Sequence, residues 1–288
     1  MARNRSSIVI TGVSTGIGRA IAEKFAKKGW TVFGSVRKEA DAAELQSALG
    51  DNFRPLIFDV TKPDAINQAA NEVREALQGR TLNGLVNNAG VALGGPLLYI
   101  DPEIVRRQFE INIFGPLFVT QAFGPLLGAD RSLEGKPGRI VNMSSVAGKI
   151  ASPILAPYAM SKHALEAFSE SLRRELLVHG IDVIVVGPGA IKTPIWAKAD
   201  EIDAEDYKGT EYYDILVGMR TKFQEVGEEG LPPEDIGALV WKIMSAGKPK
   251  VRYAILRNKL LMWTLPRLLP KRMLDKVLAD RFDIPVRK

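Results

Sequence analysis

The chain has 288 residues, of which 46% are hydrophobic and 25% are charged, and this composition is ordinary for a globular protein. It contains no cysteine and only two histidines, which excludes disulfides, cysteine nucleophiles, thiolate metal sites and histidine-rich metal centres, so we expect no metal. Since no run of 18 or more apolar residues occurs and the first residues lack a signal-peptide pattern, we expect a cytoplasmic protein.

The net charge of +6 is unevenly distributed along the chain. Residues 248–288 contain 12 Lys/Arg and 3 Asp/Glu, a net charge of +9, whereas the other 247 residues carry a net charge of −3. The basic character therefore belongs to the C-terminal segment, and we expect no nucleic-acid binding by the main part of the chain.

Short runs rich in Val and Ile alternate with helix-length periodic segments. Seven runs predict strands, at residues 7–11, 31–36, 54–58, 84–87, 139–144, 182–186 and 251–256. Their nearly continuous apolar character is typical of parallel strands that are buried on both faces. Helices are predicted between them, for example at residues 18–28, 63–77, 102–127, 156–179 and 233–246. The alternation predicts one α/β, doubly wound, Rossmann-type domain over residues 1–256, followed by a helical extension at 257–288.

Residues 191–230 interrupt this alternation with an acidic and aromatic segment. A long insertion in a compact domain is often functional, so we interpret it as a substrate lid. The alternative is a pair of ordinary surface helices.

A glycine-rich turn, Thr11-Gly-Val-Ser-Thr-Gly-Ile-Gly18, lies where the first strand passes into the first helix. Its glycines allow close backbone approach, and the helix N-terminus offers free N–H groups and the positive end of the helix dipole to a pyrophosphate. The pattern predicts a dinucleotide site. Its predicted contacts are Gly12, Ser14, Thr15, Gly16, Ile17 and Gly18. The alternative is a glycine-rich turn without a ligand.

The end of the second strand indicates which nicotinamide cofactor is preferred. An NAD site usually has an acid there for the ribose 2′-hydroxyl, whereas an arginine accommodates a 2′-phosphate. The sequence has Arg37 and Lys38 and no acid. Because a guanidinium binds phosphate through charge-assisted bonds, we expect NADP(H) rather than NAD(H). The alternative is a solvated basic loop.

Tyr158 and Lys162 are four residues apart on a predicted helix, so they share one helix face. The free side chains have pKa values of about 10 and 10.4. A cation close to the phenol favours the phenolate, so we expect Lys162 to lower the pKa of Tyr158. Tyr158 is thereby predicted to be a general acid/base near neutral pH.

Together with Asn87-Asn-Ala-Gly90, Asn112 and the pair Ser144-Ser145, these motifs resemble, in order and spacing, the one-domain short-chain dehydrogenase/reductase family over roughly residues 5–255. The resemblance implies an enzyme that interconverts an alcohol with a ketone or aldehyde. It implies that Ser145, 13 residues before Tyr158, orients the carbonyl, and that Asn112 holds a water connected to Lys162. The alternative for Asn112 is a polar residue that kinks a helix.

The resemblance also implies further cofactor contacts. Asp59 would hold the adenine amino group and Val60 would pack on the ring. Small residues after the fourth strand would let the ribose approach, and the segment after the sixth strand would meet the nicotinamide. These predicted contacts are Asn88, Ala89, Gly90, Pro188, Gly189, Ile191 and Thr193, besides Tyr158 and Lys162. The alternatives are a turn-capping role for Asp59, with Thr61, and a purely structural role for Asn87 or Asn88.

The predicted substrate pocket is apolar, which favours a bulky apolar alcohol or ketone over a small acid. Its predicted lining is Leu97, Ile154, Leu155 and Trp196, together with Ser145 and Tyr158. The extension that follows the last strand resembles the retinol and 17β-hydroxysteroid dehydrogenase branch of the family. The family resemblance also implies a homodimer or homotetramer.

The extension combines Leu, Met and Trp with Lys and Arg, and Pro266 and Pro270 interrupt its helices. Such a composition suits a membrane surface, and it suits equally a helical cap over the domain's own core; of the two we favour the cap. Two other functions remain open: a nucleotide-binding regulatory or scaffold protein on this fold, and a lipid-binding protein that attaches to membranes through the extension.

Overall fold

The central sheet is the framework of the protein. The computed structural model describes residues 5–195 and 203–285. Its strands are β1 Ser7–Ile10, β2 Thr31–Val36, β3 Phe53–Ile57, β4 Gly84–Asn87, β5 Arg139–Met143, β6 Asp182–Pro188 and β7 Arg252–Ile255. All pairs are parallel and the order is β3-β2-β1-β4-β5-β6-β7. The predicted seven-stranded, doubly wound sheet is confirmed.

The strands read as apolar runs because helices cover both faces of the sheet. β1 and β4 are buried at every position. The side chains on the two faces belong to separate cores, one including Ile8 and Val141 and the other including Val9 and Ile140. This alternation between neighbouring residues places one apolar core on each side, as the predicted parallel arrangement requires.

Helices connect the strands as crossovers. They are α1 Gly16–Lys27, α2 Glu39–Leu49, α3 Pro63–Leu77, α4 Pro102–Phe109, α5 Gly115–Phe123, α6 Ala156–Glu175, α7 Tyr213–Glu228, α8 Pro233–Ser245, α9 Leu265–Leu268 and α10 Lys271–Arg281. Short 3₁₀ turns include Val146–Gly148, Leu176–His179 and Ala204–Tyr207.

The helix predicted over residues 102–127 is present as an uninterrupted helical run from Pro102 to Phe123, but its hydrogen-bond pattern changes within the run. A wider π-helical turn, Glu110–Phe114, separates α4 from α5, and a 3₁₀ turn follows at Pro125–Leu127. The physical reason is Pro116, which has no N–H to donate to the carbonyl four residues earlier, that of Asn112. The π turn absorbs the missing bond and carries Asn112 inward, where it is buried.

β6 continues to Pro188, two residues beyond the predicted end of the strand. It does so because β7 pairs with it as far as the Pro188–Ile255 register. The cofactor-contact segment predicted after the sixth strand therefore begins inside the sheet.

The predicted lid is partly helical, with the turn Ala204–Tyr207 and α7. A third apolar cluster joins this segment to other parts of the chain; its buried members are Ile154, Tyr207, Ile215, Leu216 and Met219. Phe282 and Ile284 from the end of the chain pack against the same cluster. The lid segment and the C-terminal extension therefore share one small core.

The extension has both buried and exposed apolar side chains. Trp263 and Leu274 are buried, and the Trp263 ring lies against the guanidinium of Arg252 in β7. Leu260, Leu261 and Leu268 are 64%, 61% and 74% exposed. None of the helices within residues 5–195 and 203–285 is long and apolar enough to cross a membrane.

Candidate active site

The glycine-rich turn lies at the carboxyl end of β1, where the strand order reverses between β1 and β4. In open α/β sheets, ligands bind at this switch point. Gly12 and Gly16 have φ values of 69° and 60°, in the left-handed region that favours glycine. A Cβ on Gly18 would lie 2.1 Å from the carbonyl oxygen of Gly12. The turn therefore requires glycine at all three positions.

Two polar side chains connect this turn to the end of β4. The Thr11 hydroxyl accepts hydrogen bonds from the backbone N–H groups of Asn88 and Ala89, both at 2.9 Å. The Asn88 amide donates in return to the carbonyls of Thr11 and Gly12, at 2.9 and 3.0 Å. Asn88 thus has a clear structural role, and the contact brings Ala89 and Gly90 beside the turn.

The N-terminus of α1 fits a dinucleotide phosphate. Thr15 precedes the helix without a side-chain cap, and no acidic residue lies in the first turn. The helix dipole and first N–H groups are therefore available to an anion. Thr193 lies close by: a Cβ on Gly16 would be 3.1 Å from its methyl carbon. The structure thus brings together predicted cofactor residues from two distant segments.

The predicted adenosine side of the site lies at the ends of β2 and β3. Arg37 is 67% exposed, and its guanidinium lies 4.0 Å from an Asp59 carboxylate oxygen. The other Asp59 oxygen accepts bonds from the N–H and hydroxyl of Thr61, at 2.9 and 2.8 Å. Asp59 therefore has the turn-capping role that was its alternative. Val60 is buried beside α5, and Lys38 is exposed at the start of α2.

Ser145 and Tyr158 form the predicted catalytic pair. Ser145 follows β5, and its hydroxyl accepts from the N–H of Ala147 at 3.1 Å and donates to the carbonyl of Pro188 at 3.4 Å. Burial raises the pKa of the Tyr158 phenol, and a hydrogen bond with Ser145 opposes the rise. The two hydroxyls are therefore neighbours.

The prediction that Lys162 lowers the pKa of Tyr158 is wrong, because the pKa of Tyr158 is raised. The Lys162 amine donates to the carbonyl of Met143 at 2.8 Å and lies 5.6 Å from the centre of the Tyr158 ring. Burial dominates for both groups, because a low-dielectric environment disfavours a charged form. It raises the pKa of Tyr158 and lowers that of Lys162 to about 8, against an opposing contribution from Glu166.

Asn112 is held by protein groups on every side. Its oxygen accepts from the N–H of Val91, and its amide donates to the Val91 carbonyl and to the Ser161 hydroxyl, each at 3.0 Å. Ser161 in turn donates to the carbonyl of Tyr158 at 2.8 Å. Asn112 therefore connects the loop after β4 to the helix that carries Tyr158 and Lys162.

Sequence reasoning missed several polar residues of the site. Gln108 is buried and bonds the N–H of Leu93 and the carbonyl of Val91, at 2.7 and 2.8 Å. Ser161 is buried between Asn112 and Tyr158. The only available signal for either was a polar residue on an otherwise apolar helix face. The hydroxyl of Ser144 is buried without a hydrogen-bond partner among the described residues.

The predicted substrate residues are divided between core and surface. Ile154 is buried with a φ of 64°, and its carbonyl accepts from the N–H of Gly95 at 2.7 Å. Leu155 is half-buried, whereas Leu97 is exposed. Trp196 lies outside the described residues. Within residues 5–195 and 203–285, no group of three or more His, Asp or Glu side chains is placed to hold a metal.

Pro188, Gly189, Ile191 and Thr193 form a continuous segment from the end of β6. The Gly189 N–H donates to the carbonyl of Ile255 at 2.9 Å, and Ile191 is buried beside Leu231. Thr193 then turns back to the glycine-rich turn. The segment thus runs from Ser145 to the predicted phosphate site.

The fold is a doubly wound sheet with a glycine-rich turn at its switch point. A serine, a tyrosine and a lysine lie beside that turn. These features are typical of dinucleotide-binding oxidoreductases. The family model for short chain dehydrogenase matches residues 6–203. The chain therefore belongs to the short-chain dehydrogenase family.

Individual relatives are similar over nearly the whole chain. An NADPH-dependent 3-dehydrocapnine reductase of Ornithobacterium rhinotracheale is 42% identical over 93% of this chain and 94% of its own. Mouse retinol dehydrogenase 5 is 31% identical over 94% of this chain and 87% of its own. The crystal structure of a short-chain dehydrogenase from Streptomyces avermitilis is 28% identical, with a TM-score of 0.76 and coverage of 97% and 95% of the two chains.

Thr11→Val should destabilise the protein because the amides of Asn88 and Ala89 lose their shared acceptor. Leaving them unpaired costs about 1–3 kcal/mol, which denaturant unfolding would measure. Thr11→Ser, which keeps the hydroxyl, is the control and should stay near the wild type. Equal stability of the two variants would show that the Thr11 hydroxyl does not fix the turn.

Proposed function

We propose that the protein is an NADP(H)-dependent oxidoreductase that interconverts an alcohol with a ketone or aldehyde, with reduction as the assayed direction. The observation that carries the proposal is the group of Ser145, Tyr158 and Lys162 at the carboxyl edge of the sheet, in which Ser145 and Lys162 are buried and Tyr158 is half-buried. It is reached from the glycine-rich turn through the segment that contains Thr193. We retain the assignment of residues 1–256 to the catalytic domain and 257–288 to its extension.

In the proposed reduction, Tyr158 donates its phenolic proton to the carbonyl oxygen. When bound, the reduced nicotinamide supplies the hydride. A phenol with its ordinary pKa of about 10 carries its proton at neutral pH, and burial raises the pKa of Tyr158 further. Ser145 orients the carbonyl by exchanging its long 3.4 Å bond to Pro188 for a bond to the substrate. Lys162 places a positive charge near the Tyr158 ring, and Asn112 keeps the helix of Tyr158 in place.

We propose NADP(H) rather than NAD(H) as the cofactor. The support is Arg37, whose exposed guanidinium follows β2 at a position without an acid. Asp59 lies 4.0 Å away and is partly engaged by Thr61, so the guanidinium retains donors for a 2′-phosphate. The NADPH dependence of the Ornithobacterium relative is consistent with this choice.

The proposed substrate is a bulky apolar ketone or alcohol. The apolar cluster around Ile154 and α7 supports this class, and so do the names of two relatives, a 3-dehydrocapnine reductase and a retinol dehydrogenase. We propose 3-dehydrocapnine as the first substrate to test, with aryl, steroid and retinoid carbonyl compounds beside it. A regulatory or scaffold role is disfavoured because Asn112, Ser145, Tyr158 and Lys162 are all present.

We also propose a homodimer or homotetramer. A surface cavity of ≈ 380 Å³ lies between α5 and α6, and Leu117, Phe168 and Leu172 line it. An apolar groove between two crossover helices suits the helices of a second copy. The cytoplasmic location predicted from the sequence remains part of the proposal.

Peripheral contact of the extension with anionic membranes is a second proposed property. It rests on the exposed Leu260, Leu261 and Leu268, which lie among basic residues such as Arg257 and Lys259. Apolar side chains of this kind enter the headgroup boundary, while each nearby cation contributes about 1 kcal/mol at an anionic surface.

Tyr158→Phe should lose NADPH-coupled reduction of 3-dehydrocapnine or an active ketone by about 10²–10⁴-fold, because general acid catalysis contributes that much. NADPH affinity, measured by fluorescence, should remain near the wild type. Absorbance at the nicotinamide band, recorded over a panel of ketones, gives the rates. Retention of most of the wild-type kcat in Tyr158→Phe would refute the proton-donor role, and a wild type inactive on every carbonyl compound would refute the function.

Arg37→Ala should raise the KM for NADPH and leave the KM for NADH nearly unchanged. A hydrogen bond to a charged group contributes about 1.5–3 kcal/mol, and screening at an exposed site favours the lower end, which is about tenfold in KM. Arg106→Ala, which removes an exposed guanidinium of α4, is the control for general charge effects. A wild type that prefers NADH contradicts the proposal before any substitution.

Sedimentation with vesicles tests the membrane proposal. The wild type should sediment with vesicles of phosphatidylcholine and phosphatidylglycerol, release as salt rises, and ignore pure phosphatidylcholine, because screening shortens the electrostatic attraction. Leu260→Ser/Leu261→Ser should abolish sedimentation without loss of activity. Leu177→Ser/Val178→Ser, exposed apolar residues beyond α6, is the matched control. Failure of the wild type to bind anionic vesicles would leave the extension as a cap.

A further inference from the structure

Arg252, the first residue of β7, contacts both the side chain of Glu166 and the backbone of Ser145. Its guanidinium donates to both carboxylate oxygens of Glu166, with Nε at 3.1 and 2.9 Å and Nη2 at 3.0 Å. Nη2 also donates to the backbone carbonyl of Ser145 at 3.3 Å. The side chains of Arg252 and Glu166 are only 19% and 6% exposed. One buried guanidinium thus holds both a carboxylate of α6 and the backbone of the predicted catalytic serine.

The sheet leaves space for this contact at Gly187 of β6. A Cβ on Gly187 would lie 2.6 Å from Nη2 of Arg252 and 3.1 Å from the carbonyl oxygen of Ser145. Any larger residue there would displace the guanidinium or the serine backbone. The φ of Gly187 is not in the left-handed region, so its backbone conformation does not require glycine. Glycine is required there because a side chain would occupy the space of the Arg252 guanidinium.

The C-terminal extension covers the other part of the guanidinium. The carbon of the Arg252 guanidinium lies 4.4 Å from the centre of the Trp263 ring, and that of Arg267 lies 4.7 Å from it. Trp263 is buried although Leu260 and Leu261 beside it are exposed. A desolvated guanidinium on an indole is a favourable cation–π contact that also limits the rotamers of the arginine.

Glu166 extends this set of contacts to Lys162, one helical turn earlier on α6. Burial lowers the pKa of Lys162 to about 8, and the Glu166 charge opposes that change. The charged groups that face Glu166 come from three elements: Lys162 on α6 itself, Arg252 on β7, and Lys149 after the turn that follows Ser145, at 3.4 Å. The Glu166 carboxylate therefore lies among three basic side chains, and its charge favours the ammonium form of Lys162.

We propose that Arg252, fixed by Trp263, is a positioning residue that couples the C-terminal extension to Ser145 and, through Glu166, to Lys162. The proposal rests on the proposed function, because it assigns the coupling to the residues that carry the reaction. It assigns the extension a second role besides covering the domain: the extension sets the geometry and charge of the site without touching the substrate.

The first test is the titration of Lys162 in the full chain without substrate, followed by the NMR signal of ¹³Cε-labelled lysine and assigned with Lys162→Met. Glu166→Gln should lower the midpoint, because it removes the opposite charge that favours the ammonium. Arg272→Ala, a charge loss in α10, should leave the midpoint unchanged. An unchanged midpoint in a folded Glu166→Gln protein would overturn the coupling to Lys162. This test also stands if no carbonyl compound is reduced and the proposed function fails.

The second test separates positioning from general stability. Trp263→Leu, which keeps an apolar side chain, should lower kcat by about 2- to 30-fold, the equivalent of a cation–π contact. Trp263→Phe, which restores an aromatic face, should recover most of the loss. Arg252→Lys, which keeps the charge but not the fork, should lower kcat as well, and its effect should not add to that of Trp263→Leu.

Melting temperatures of the same variants complete the second test. The positioning role is supported if kcat falls when the aromatic ring of residue 263 or the guanidinium of residue 252 is lost, while Trp263→Leu and Trp263→Phe have the same melting temperature. Equal kcat in the wild type, Trp263→Leu and Trp263→Phe would overturn it. Additive losses in the double variant would also overturn it, because they would mean that Trp263 and Arg252 act separately. If Arg252→Lys does not fold, the comparison of the two Trp263 variants still decides.

Discussion

The hydrogen bonds between Thr11 and the Asn88–Ala89 backbone are the interaction on which the site depends. They fasten the ends of β1 and β4 at the point where the strand order reverses. From there a continuous path of bonds runs through Val91 to Asn112, from Asn112 to Ser161, and from Ser161 to the carbonyl of Tyr158. The glycine-rich turn and the helix that carries Tyr158 are therefore connected by one series of polar contacts.

Burial is the second constraint, because it sets the direction in which the pKa values of Tyr158 and Lys162 shift. A phenol and an amine in a low-dielectric site both prefer their neutral forms, so the pKa of Tyr158 rises and that of Lys162 falls to about 8. The same burial makes the charge of Lys162 sensitive to Glu166.

Much of the fold was predictable because its signals are local. Parallel strands buried on both faces read as apolar runs, and the glycine turn and the Tyr158–Lys162 spacing are short motifs. The apolar periodicity predicted a regular helix and gave no sign of the π-helical turn at residues 110–114. To predict that turn, one must consider that Pro116 has no N–H to donate to the carbonyl of Asn112. The direction of the Tyr158 pKa could not be predicted, because burial depends on tertiary packing whereas the spacing shows only that Lys162 is near. Arg252 and Glu166 are 86 residues apart in the chain, so no local pattern connects them.

The division of the site along the chain explains where specificity can change. The residues that match the family model end at position 203 and include the glycine turn, Ser145, Tyr158 and Lys162. The apolar cluster beside them is completed by α7 and by Phe282 and Ile284, which come later. The predicted catalytic residues thus come from the first part of the chain, whereas one side of the apolar cluster comes from the last part. The hydrogen bonds that connect Asn112 to Tyr158 involve none of the residues of that cluster, so the two parts of the structure are held by different contacts.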